Sequence, residues 1–392
     1  MKNNLVEQVK SLETEFINIR HAIHKNPEIG FKEVNTSELV ANKLAEWGYK
    51  IERGFAQTGF VATLKVGNGK KILGLRAEMD ALPILEDSGV PWISQNHGVS
   101  HMCGHDGHTT MLLCAAKYLA KTRNFDGTLH IIYQPAEELL CGGSKMIEDG
   151  LFKKYPCDMI FAMHNMPGLN AGEFYFRKGS AMASSDTLEI EVTGVGGHGA
   201  FPHKAVDTVL VCSQIAISLQ SIVSRNVDTF CPAVITVGSL QAGDTANVIP
   251  GKGLLKLTVR TLDKETRKLV LKRISDITIK TAEVYNAVAS INHVNGSPVL
   301  VNGNEATEFA YKVGCELFGK EKCHDNAQAC MGSEDFSFML EHLANGSYFF
   351  IGNGKENENG VPLHNGKYDF NDANIVPGAT LWAGIVEKYL VN

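Results

Sequence analysis

The sequence predicts an α/β protein with two domains, one of them inserted into the other. The chain has 392 residues, and chains longer than roughly 250–300 residues usually divide into domains. Apolar runs rich in β-branched residues alternate with longer helical patterns over most of the chain, which is typical of a sheet covered by helices. In the middle, the order becomes β-α-β-β-α-β, which is typical of a ferredoxin-like α+β domain. We therefore expect a discontinuous domain at 1–183 and 295–392, and an inserted domain at 184–294.

The larger domain is predicted to begin with an amphipathic helix that ends near Asn26 and Pro27. Its strands are short apolar runs, and its central helix has MLLCAAKYLA as the core face. Strands are predicted at 59–66, 71–77, 128–133, 159–163 and 347–351, and further helices at 107–123 and 371–390.

The inserted domain is predicted to begin with the strand TLEIEVT, whose alternation indicates one buried face and one face exposed to water. The strands of this domain are predicted at 186–193, 234–240, 254–261 and 288–294, and its helices at 206–225 and 264–286.

The composition excludes several classes of protein. The formal net charge is −6 and no long block of Lys or Arg occurs, so we expect neither a nucleic-acid nor a membrane partner. The N-terminus has no apolar signal core, and no apolar run is expected to approach the roughly 18 residues of a membrane span. The nine cysteines are scattered and odd in number, so a reducing cytoplasm is expected.

Four short stretches collect the residues that could carry chemistry. HMCGHDGH (101–108) precedes a predicted helix, whereas QPAEE (134–138) and MHN (163–165) each follow a predicted strand. PLHN (362–365) lies in a loop rich in glycine and asparagine. Ligands of open α/β sheets bind beyond the carboxyl ends of the strands. We therefore expect the first three stretches at one edge of the sheet, and the loop could bring the fourth there.

Cys103 and His105 are two metal-capable side chains separated by a glycine. The pair alone is a weak signal, because a buried thiol and a helix-capping histidine would explain it equally well. Asp106 and His108 suit the first turn of a helix better than a metal site, and His101 is expected to be structural.

Glu137 and Glu138 follow an apolar strand, where a buried unpaired charge would be costly. If the two glutamates lay on a surface turn, they would indicate no function. Beside cysteine and histidine, one carboxylate would bind metal and the other would take a proton from water. His164 and His364 alone would more often be ordinary hydrogen-bonded histidines. The whole set suits one or two transition-metal ions, and its wide spacing and carboxylate favour an open catalytic site over a structural one.

The same stretches belong to a longer series of motifs that covers nearly the whole chain. The series runs HKNPEIGFKE (24–33), MDALPI (79–84), CGHDGHTTM (103–111), QPAEE, MHNMPGL (163–169), GGHGAFPH (196–203), ANVIP (246–250), GSEDFS (332–337) and LHNGKYDFND (363–372). In order and spacing the chain resembles the N-acyl-amino-acid amidohydrolases, a group with hippurate hydrolases and auxin-conjugate hydrolases. This group belongs to the aminoacylase–carboxypeptidase family of two-metal metallopeptidases.

The resemblance implies a mixed-sheet metallopeptidase catalytic domain that holds two divalent metal ions per subunit. Zinc or manganese is expected, and cobalt or nickel is also compatible with the donor set. Glu137 is implied as the general base and Asp80 as a carboxylate that orients a ligand. The implied metal ligands are Cys103, which would bridge the two ions, His105, Glu138, His164 and His364.

The resemblance also implies that the inserted domain is a lid and a dimerisation domain, so a homodimer or a higher homo-oligomer is expected. His198 would then reach a partner subunit's active site and help to hold the oxyanion, unless it is a loop histidine without a catalytic task. Asn247 and Arg260 would lie near the substrate carboxylate, or else be a turn residue and a strand-surface salt bridge.

Two residues depart from the pattern of the family. Glu78 stands where the family usually has aspartate, and its extra methylene puts metal occupancy or preference in question. Gly199 stands where alanine is common, which could loosen the loop that carries His198.

The implied reaction is hydrolysis of the amide bond of an N-acyl amino acid to a carboxylic acid and a free amino acid. A dipeptidase, a carboxypeptidase or an N-acetyl-diaminopimelate-type deacetylase would use the same chemistry on another amide. A non-catalytic metal-binding protein is the alternative from another class. The presence of Glu137 argues against it, because metal binding alone does not need a free carboxylate next to a ligand.

Overall fold

The computed structural model describes residues 2–355 and 360–391 and divides the chain into two compact units. The first unit comprises Met1–Gly179, Val301–Gln328 and Asp335–Asn392, and the second comprises Ser180–Leu300 and Ala329–Glu334.

The helices follow one another along the chain as α1 (Lys2–Lys10), α2 (Glu13–Lys25), α3 (Val34–Glu46), α4 (His105–Thr122), α5 (Gly142–Glu148), α6 (Leu151–Lys154), α7 (Thr208–Arg225), α8 (Lys264–Val284), α9 (Asn304–Phe318), α10 (Phe336–His342) and α11 (Ile375–Tyr389). The strands are β1 (Lys50–Phe55), β2 (Gly59–Val66), β3 (Ile72–Glu78), β4 (Gly127–Gln134), β5 (Met159–Pro167), β6 (Phe174–Tyr175), β7 (Gly179–Met182), β8 (Ser184–Thr193), β9 (Gly197–His198), β10 (Ala233–Gln241), β11 (Val248–Ile249), β12 (Lys252–Thr261), β13 (Val288–Ser297), β14 (Leu300–Asn302), β15 (Cys323–His324) and β16 (Gly346–Gly354).

The first unit is built on a mixed eight-stranded sheet in the order β1-β2-β4-β3-β5-β16-β6-β15. The four central strands β4, β3, β5 and β16 run parallel, and β2 and β1 continue the sheet antiparallel at one side. Strands β3 and β16 are buried along almost their whole length, as expected for central parallel strands covered on both faces. This arrangement brings the carboxyl ends of β3, β4 and β5 to the same edge.

The second unit contains a four-stranded antiparallel sheet in the order β10-β12-β8-β13. With its two helices, this order is the ferredoxin-like arrangement. Helices α7 and α8 pack against each other and against the sheet. Strand β8 alternates as predicted, because Leu188, Ile190 and Val192 are buried in the core whereas Glu191 is exposed.

Helix α7 is long and apolar enough to span a membrane, judged by length and composition only. The expectation that no apolar run reaches this length was therefore wrong. In the structure, 33% of this stretch is buried, and the buried positions recur at the three- and four-residue spacing of a helix packed on a core. They are Thr208, Val211, Cys212, Ile215, Leu219 and Ile222.

The predicted α/β fold class with a mixed sheet is confirmed, and the strand predicted at 59–66 has the observed bounds of β2. The predicted N-terminal helix is instead two helices, because the chain turns at Ser11 and Leu12. The second unit is wider than the predicted 184–294. Residues 329–334 join it because the backbone N–H of Ala183 lies 3.0 Å from the carbonyl oxygen of Cys330 and 2.9 Å from that of Gly332.

We expect Leu255→Ala to lower the free energy of unfolding of the second unit by about 3 kcal/mol, because it opens a cavity in the core. Leu255 is fully buried on β12, whereas Leu269 on α8 is 38% exposed. The control Leu269→Ala should therefore cost less than about 0.5 kcal/mol. Urea denaturation of the full chain, followed by circular dichroism, measures both. Equal losses for the two variants would contradict the described core.

Candidate active site

The candidate active site lies at the carboxyl edge of the central strands of the first unit. Glu78 is the last residue of β3 and pairs in register with Gln134, the last residue of β4. Glu137 and Glu138 follow β4 in a turn, and His164 lies near the end of β5. Cys103 Sγ lies 3.4 Å from His164 Nε2, so three of the four stretches meet at one edge. His364 joins them because its Nε2 lies 3.3 Å from Glu138 Oε1.

The segment Cys103-Gly104-His105 enters helix α4 through a glycine with a φ of +87°. A Cβ on Gly104 would collide with Asn165 Nδ2 and Tyr368 Oη, so this position requires glycine. Asn165 Nδ2 donates to the carbonyl oxygen of Cys103 at 2.7 Å, and Tyr368 Oη donates to Asn165 Oδ1 at 2.8 Å. These contacts bind together the segments that carry Cys103, His164 and His364.

His105 is fully buried and is oriented by Asp80. Its Nδ1 lies 2.9 Å from the carbonyl oxygen of Asp80 and 3.2 Å from Asp80 Oδ1. Because both atoms accept hydrogen bonds, Nδ1 carries a proton, and Nε2 is the nitrogen that could bind a metal ion once its own proton is released. Nε2 has no hydrogen-bond partner among the described residues, although Glu138 Oε1 is 4.0 Å away.

The turn that carries the two glutamates is held in an unusual backbone conformation. Ala136 and Leu140, which flank the pair, have φ values of +54° and +52°. This region is uncommon for residues other than glycine. The backbone N–H of Glu138 donates to Asp80 Oδ2 at 2.9 Å, and Glu137 is only 6% exposed. The two glutamates are therefore held in place by the surrounding structure and do not lie on a solvent-exposed turn.

His164 and His364 are the other two histidines predicted to bind metal. His164 Nδ1 donates to the carbonyl oxygen of Asn165 at 2.6 Å, so Nε2 is unprotonated and accepts from the Cys103 thiol at 3.4 Å. The side chain of His364 is half-exposed, and its backbone has a φ of +63°. Its backbone N–H donates to the carbonyl oxygen of Met102 at 2.8 Å. The five predicted ligands are thus brought together. Their role as ligands stays a prediction.

The electrostatic field of this cluster is negative. Burial opposes protonation of His105, but Asp80, Glu78 and Glu138 raise its pKa to about 10. Burial, together with the charges of Glu138 and Glu137, raises the pKa of the Cys103 thiol well above its usual value. Because of the surrounding carboxylates, the Cys103 thiol and the His105 imidazole hold their protons tightly. The same negative field favours a bound cation.

The donor set fits a transition-metal centre. Within 4.8 Å of one another lie ligand atoms of Cys103, Glu138 and His364, and likewise those of His105, Glu137 and Glu138. Burial of His105 Nε2 without a hydrogen-bond partner costs free energy unless a further group binds this nitrogen. Thiolate, imidazole and carboxylate ligands together suit zinc and related ions.

Two neighbouring polar residues of HMCGHDGH, His108 and Asp106, have hydrogen-bond partners of their own. His108 Nδ1 donates to Glu78 Oε1 at 3.0 Å, and its Nε2 accepts from the backbone N–H of Asn165 at 2.9 Å. Asp106 Oδ2 accepts from Arg20 and His24, each at 2.8 Å. His101 is buried, and neither of its ring nitrogens has a hydrogen-bond partner among the described residues. His108, which was not predicted as a ligand, lies within 4.8 Å of ligand atoms of Glu78, His105 and His164.

A buried ionic network next to the site was missed by the sequence reasoning. Arg76 lies 3.0 Å from Glu78 Oε2 and donates to Asp335 Oδ1 at 2.9 Å and to Gln134 Oε1 at 2.9 Å. The backbone N–H of Asp335 in turn reaches Glu137 Oε1 at 3.4 Å. Burial opposes ionisation of Glu78, but Arg76 and His108 hold its pKa well below the usual range. Glu78, Gln134 and Asp335 lie in segments that the sequence analysis singled out, but nothing in the sequence indicated that Arg76 joins them.

The three residues predicted near the substrate lie in the second unit. His198 is exposed on β9, where Val248 of β11 pairs with it, and its Nδ1 accepts from the backbone N–H of Ala200 at 3.1 Å. The carbonyl oxygen of Asn247 accepts from Gly199 at 2.8 Å. Arg260 on β12 donates to Ser333 Oγ at 2.7 Å, and burial lowers its pKa. Their roles stay predictions.

Comparison with known proteins identifies relatives over the full length of the chain. Residues 74–388 match the family model Peptidase family M20/M25/M40. The chain is 47% identical to the hippurate hydrolase of Campylobacter jejuni subsp. jejuni over 387 residues, which cover 99% of this chain and 100% of that enzyme. It is 35% identical to the N-acetyl-L-cysteine deacetylase of Bacillus subtilis, over 88% of this chain and 82% of that enzyme.

The fold is also similar to a solved structure. The crystal structure of the Bacillus subtilis YXEP protein, described as a dinuclear metal binding peptidase, matches with a TM-score of 0.84 and 28% identity. The match covers 97% of this chain and 99% of that chain. As the resemblance predicted, the chain belongs to the peptidase family M20/M25/M40.

Proposed function

We propose that this protein is a metal-dependent amidohydrolase that cleaves N-acyl amino acids to a carboxylic acid and a free amino acid. The observation that carries the proposal is the buried Glu137 carboxylate beside a cluster of thiol, imidazole and carboxylate donors. The 47% identity to a hippurate hydrolase supports an acylated amino acid as substrate.

Two divalent metal ions would be held by the five predicted ligands Cys103, His105, Glu138, His164 and His364. When bound, they would lower the pKa of a water molecule and polarise the scissile carbonyl group. Zinc is favoured by the thiolate and imidazole donors, and manganese by the carboxylate. The dinuclear structural relative supports a pair of ions.

Glu137 moves the proton in this proposal. Its carboxylate accepts a proton from the attacking water and delivers it to the amide nitrogen as the C–N bond breaks, so that water is divided between the two products. Burial suits this role, because Glu137 is kept from bulk solvent next to the ligand Glu138. Asp335 is placed to orient the carboxylate through its backbone N–H, at 3.4 Å from Glu137 Oε1.

The second unit is proposed to recognise the substrate and to mediate dimerisation. Arg260 supplies a partly buried cation suited to a substrate carboxylate, with Asn247 as a further contact, and His198 would assist the oxyanion in a partner subunit. Large apolar side chains on this unit are exposed, among them Ile217 at 67% and Phe230 at 93%, which supports an interface. The nine free cysteines, with Cys103 as a ligand, suit a reducing cytoplasm.

We expect Glu137→Gln to lower kcat by about a hundredfold to ten-thousandfold, because the amide side chain takes no proton from water. Release of amino acid from benzoylglycine, N-acetylated amino acids and dipeptides measures this change. Wild-type preference for dipeptides would favour a dipeptidase instead.

The matched control is Glu148→Gln, which changes an exposed glutamate at the end of α5. This control should keep the activity of the wild type. Metal content of both variants should equal that of the wild type by elemental analysis. Undiminished activity of the Glu137 variant would rule out its role as the base.

We expect Asp80→Asn to weaken metal affinity about tenfold to a hundredfold, because Asp80 holds both His105 and Glu138. Competition with a chromogenic chelator gives the affinity without any assay of activity. Asp87→Asn is the control, since the Asp87 side chain is 80% exposed and its ion pair with Lys367 is long, at 3.9 Å. An unchanged affinity of the Asp80 variant would refute its orienting role.

We expect chelation to abolish hydrolysis and to lower the thermal stability of the protein, because metal ions bind the folded state. Reloading with zinc or manganese should restore both, with two ions per chain by elemental analysis. Full activity of the metal-free protein would contradict the proposed chemistry.

A further inference from the structure

The segment Asn26–Glu33, sequence NPEIGFKE, contains none of the proposed ligands. It nevertheless packs against the turn that carries Glu137 and Glu138. The backbone N–H of Ala81, outside the segment, donates to the carbonyl oxygen of Glu28 at 2.8 Å, and Ile29 forms a β-bridge with Ala81. The segment therefore touches the chain immediately after Asp80.

Glu33 contacts the turn directly, and its side chain is fully buried. Glu33 Oε1 accepts the backbone N–H of Ala136 at 2.9 Å, and Glu33 Oε2 accepts the hydroxyl of Thr58 at 2.7 Å. Although Glu33 is the N-cap residue of α3, its side chain makes no capping hydrogen bond. It is directed to the turn and not to its own helix.

Glu28 performs the capping instead. Its Oε1 accepts the backbone N–H of Asn35 at 3.0 Å, and its Oε2 accepts that of Thr36 at 2.9 Å. Two glutamates of one segment thus have separate tasks, since Glu28 serves the start of α3 and Glu33 serves Ala136.

Ala136 needs such support because its φ of +54° is disfavoured for a residue with a Cβ. The backbone on both sides is close-packed. A Cβ on Gly30 would approach Ala136 Cα and Cβ to 3.1 Å. The carbonyl oxygen of Ala136 accepts from Gly142 at 3.2 Å. The conformation of this peptide sets the direction in which Glu137 leaves the turn.

We infer that Glu33 is a positioning residue that fixes the Ala136 peptide and thereby aims the Glu137 carboxylate. This inference rests on the proposed function, in which Glu137 is the base. Glu138 is held independently, because Asp80 accepts its backbone N–H. Loss of Glu33 should therefore impair proton transfer while leaving metal binding intact.

The variant Glu33→Leu keeps the size of the side chain and removes both acceptors. We expect kcat to fall about tenfold to a hundredfold, because small displacements of a reacting group have effects of this size. KM and metal content should stay at the wild-type values. Amide hydrogen exchange in residues 134–142 should become faster, since the Ala136 N–H loses its acceptor.

Glu33→Gln should restore most of kcat and the slow exchange, because its amide oxygen can accept the Ala136 N–H. Burial, with a smaller effect of Asp80, raises the pKa of Glu33 to about 7, so a neutral side chain is compatible with this position. Glu28→Ala is the matched control. It should lower thermal stability through the loss of the α3 cap but leave kcat unchanged.

A kcat of Glu33→Leu within about twofold of the wild type would overturn the inference, as would an equal loss of kcat in Glu28→Ala. Loss of kcat in parallel with loss of metal would also overturn it. If Glu33→Leu does not fold, Thr58→Val removes the hydroxyl that fixes Glu33 and should give a smaller loss in the same direction. If the wild type hydrolyses no amide, the proposed function fails, whereas hydrogen exchange at 134–142 still tests the contact.

Discussion

The close packing of Gly104 against Asn165 and Tyr368 is the constraint on which the candidate site depends. The three residues come from the loop before α4, from β5 and from the loop after β16, and each of these segments carries a predicted ligand. Asn165 uses its side-chain amide to hold Cys103 and its backbone to hold His108 and His164. A preorganised donor set of this kind binds metal without first ordering flexible chain, so less affinity is lost to conformational entropy.

The charges around the site are balanced by a few buried cations. Arg76 lies between Glu78 and Asp335 at the carboxyl edge, and Arg20 pairs with Asp106 just beyond His105. Each arginine is fully buried, which is tolerable only because its partners are close and well oriented. Although burial opposes protonation of His105, the carboxylates of Asp80, Glu78 and Glu138 raise its pKa. The field at the donors is therefore negative, and such a field favours a bound cation.

The sequence predicted the features that follow from local pattern. Alternation and apolar runs gave β2 and the strands of the second unit, and the rule that ligands gather at strand ends brought Glu138 and His164 to one edge. The same reasoning missed the pairing of Arg76 with Asp335, because contacts between residues far apart in sequence leave no periodic trace. Glu78 could be marked as a departure, but its partners became visible only in the structure.

The conformation of the turn at 136–140 explains why so much of the first unit surrounds Glu137 and Glu138. A turn with left-handed residues on both sides of Glu137 and Glu138 is unfavourable by itself, because such residues each cost of order 1 kcal/mol or more. It persists because Glu33, Asp80 and Gly142 each satisfy or accommodate its backbone. A relaxed turn would place the carboxylates in solvent, where they bind metal and protons weakly. Strain and burial are thus two aspects of one arrangement, in which a less favourable backbone conformation of the turn holds the Glu137 carboxylate close to Glu138 and His105.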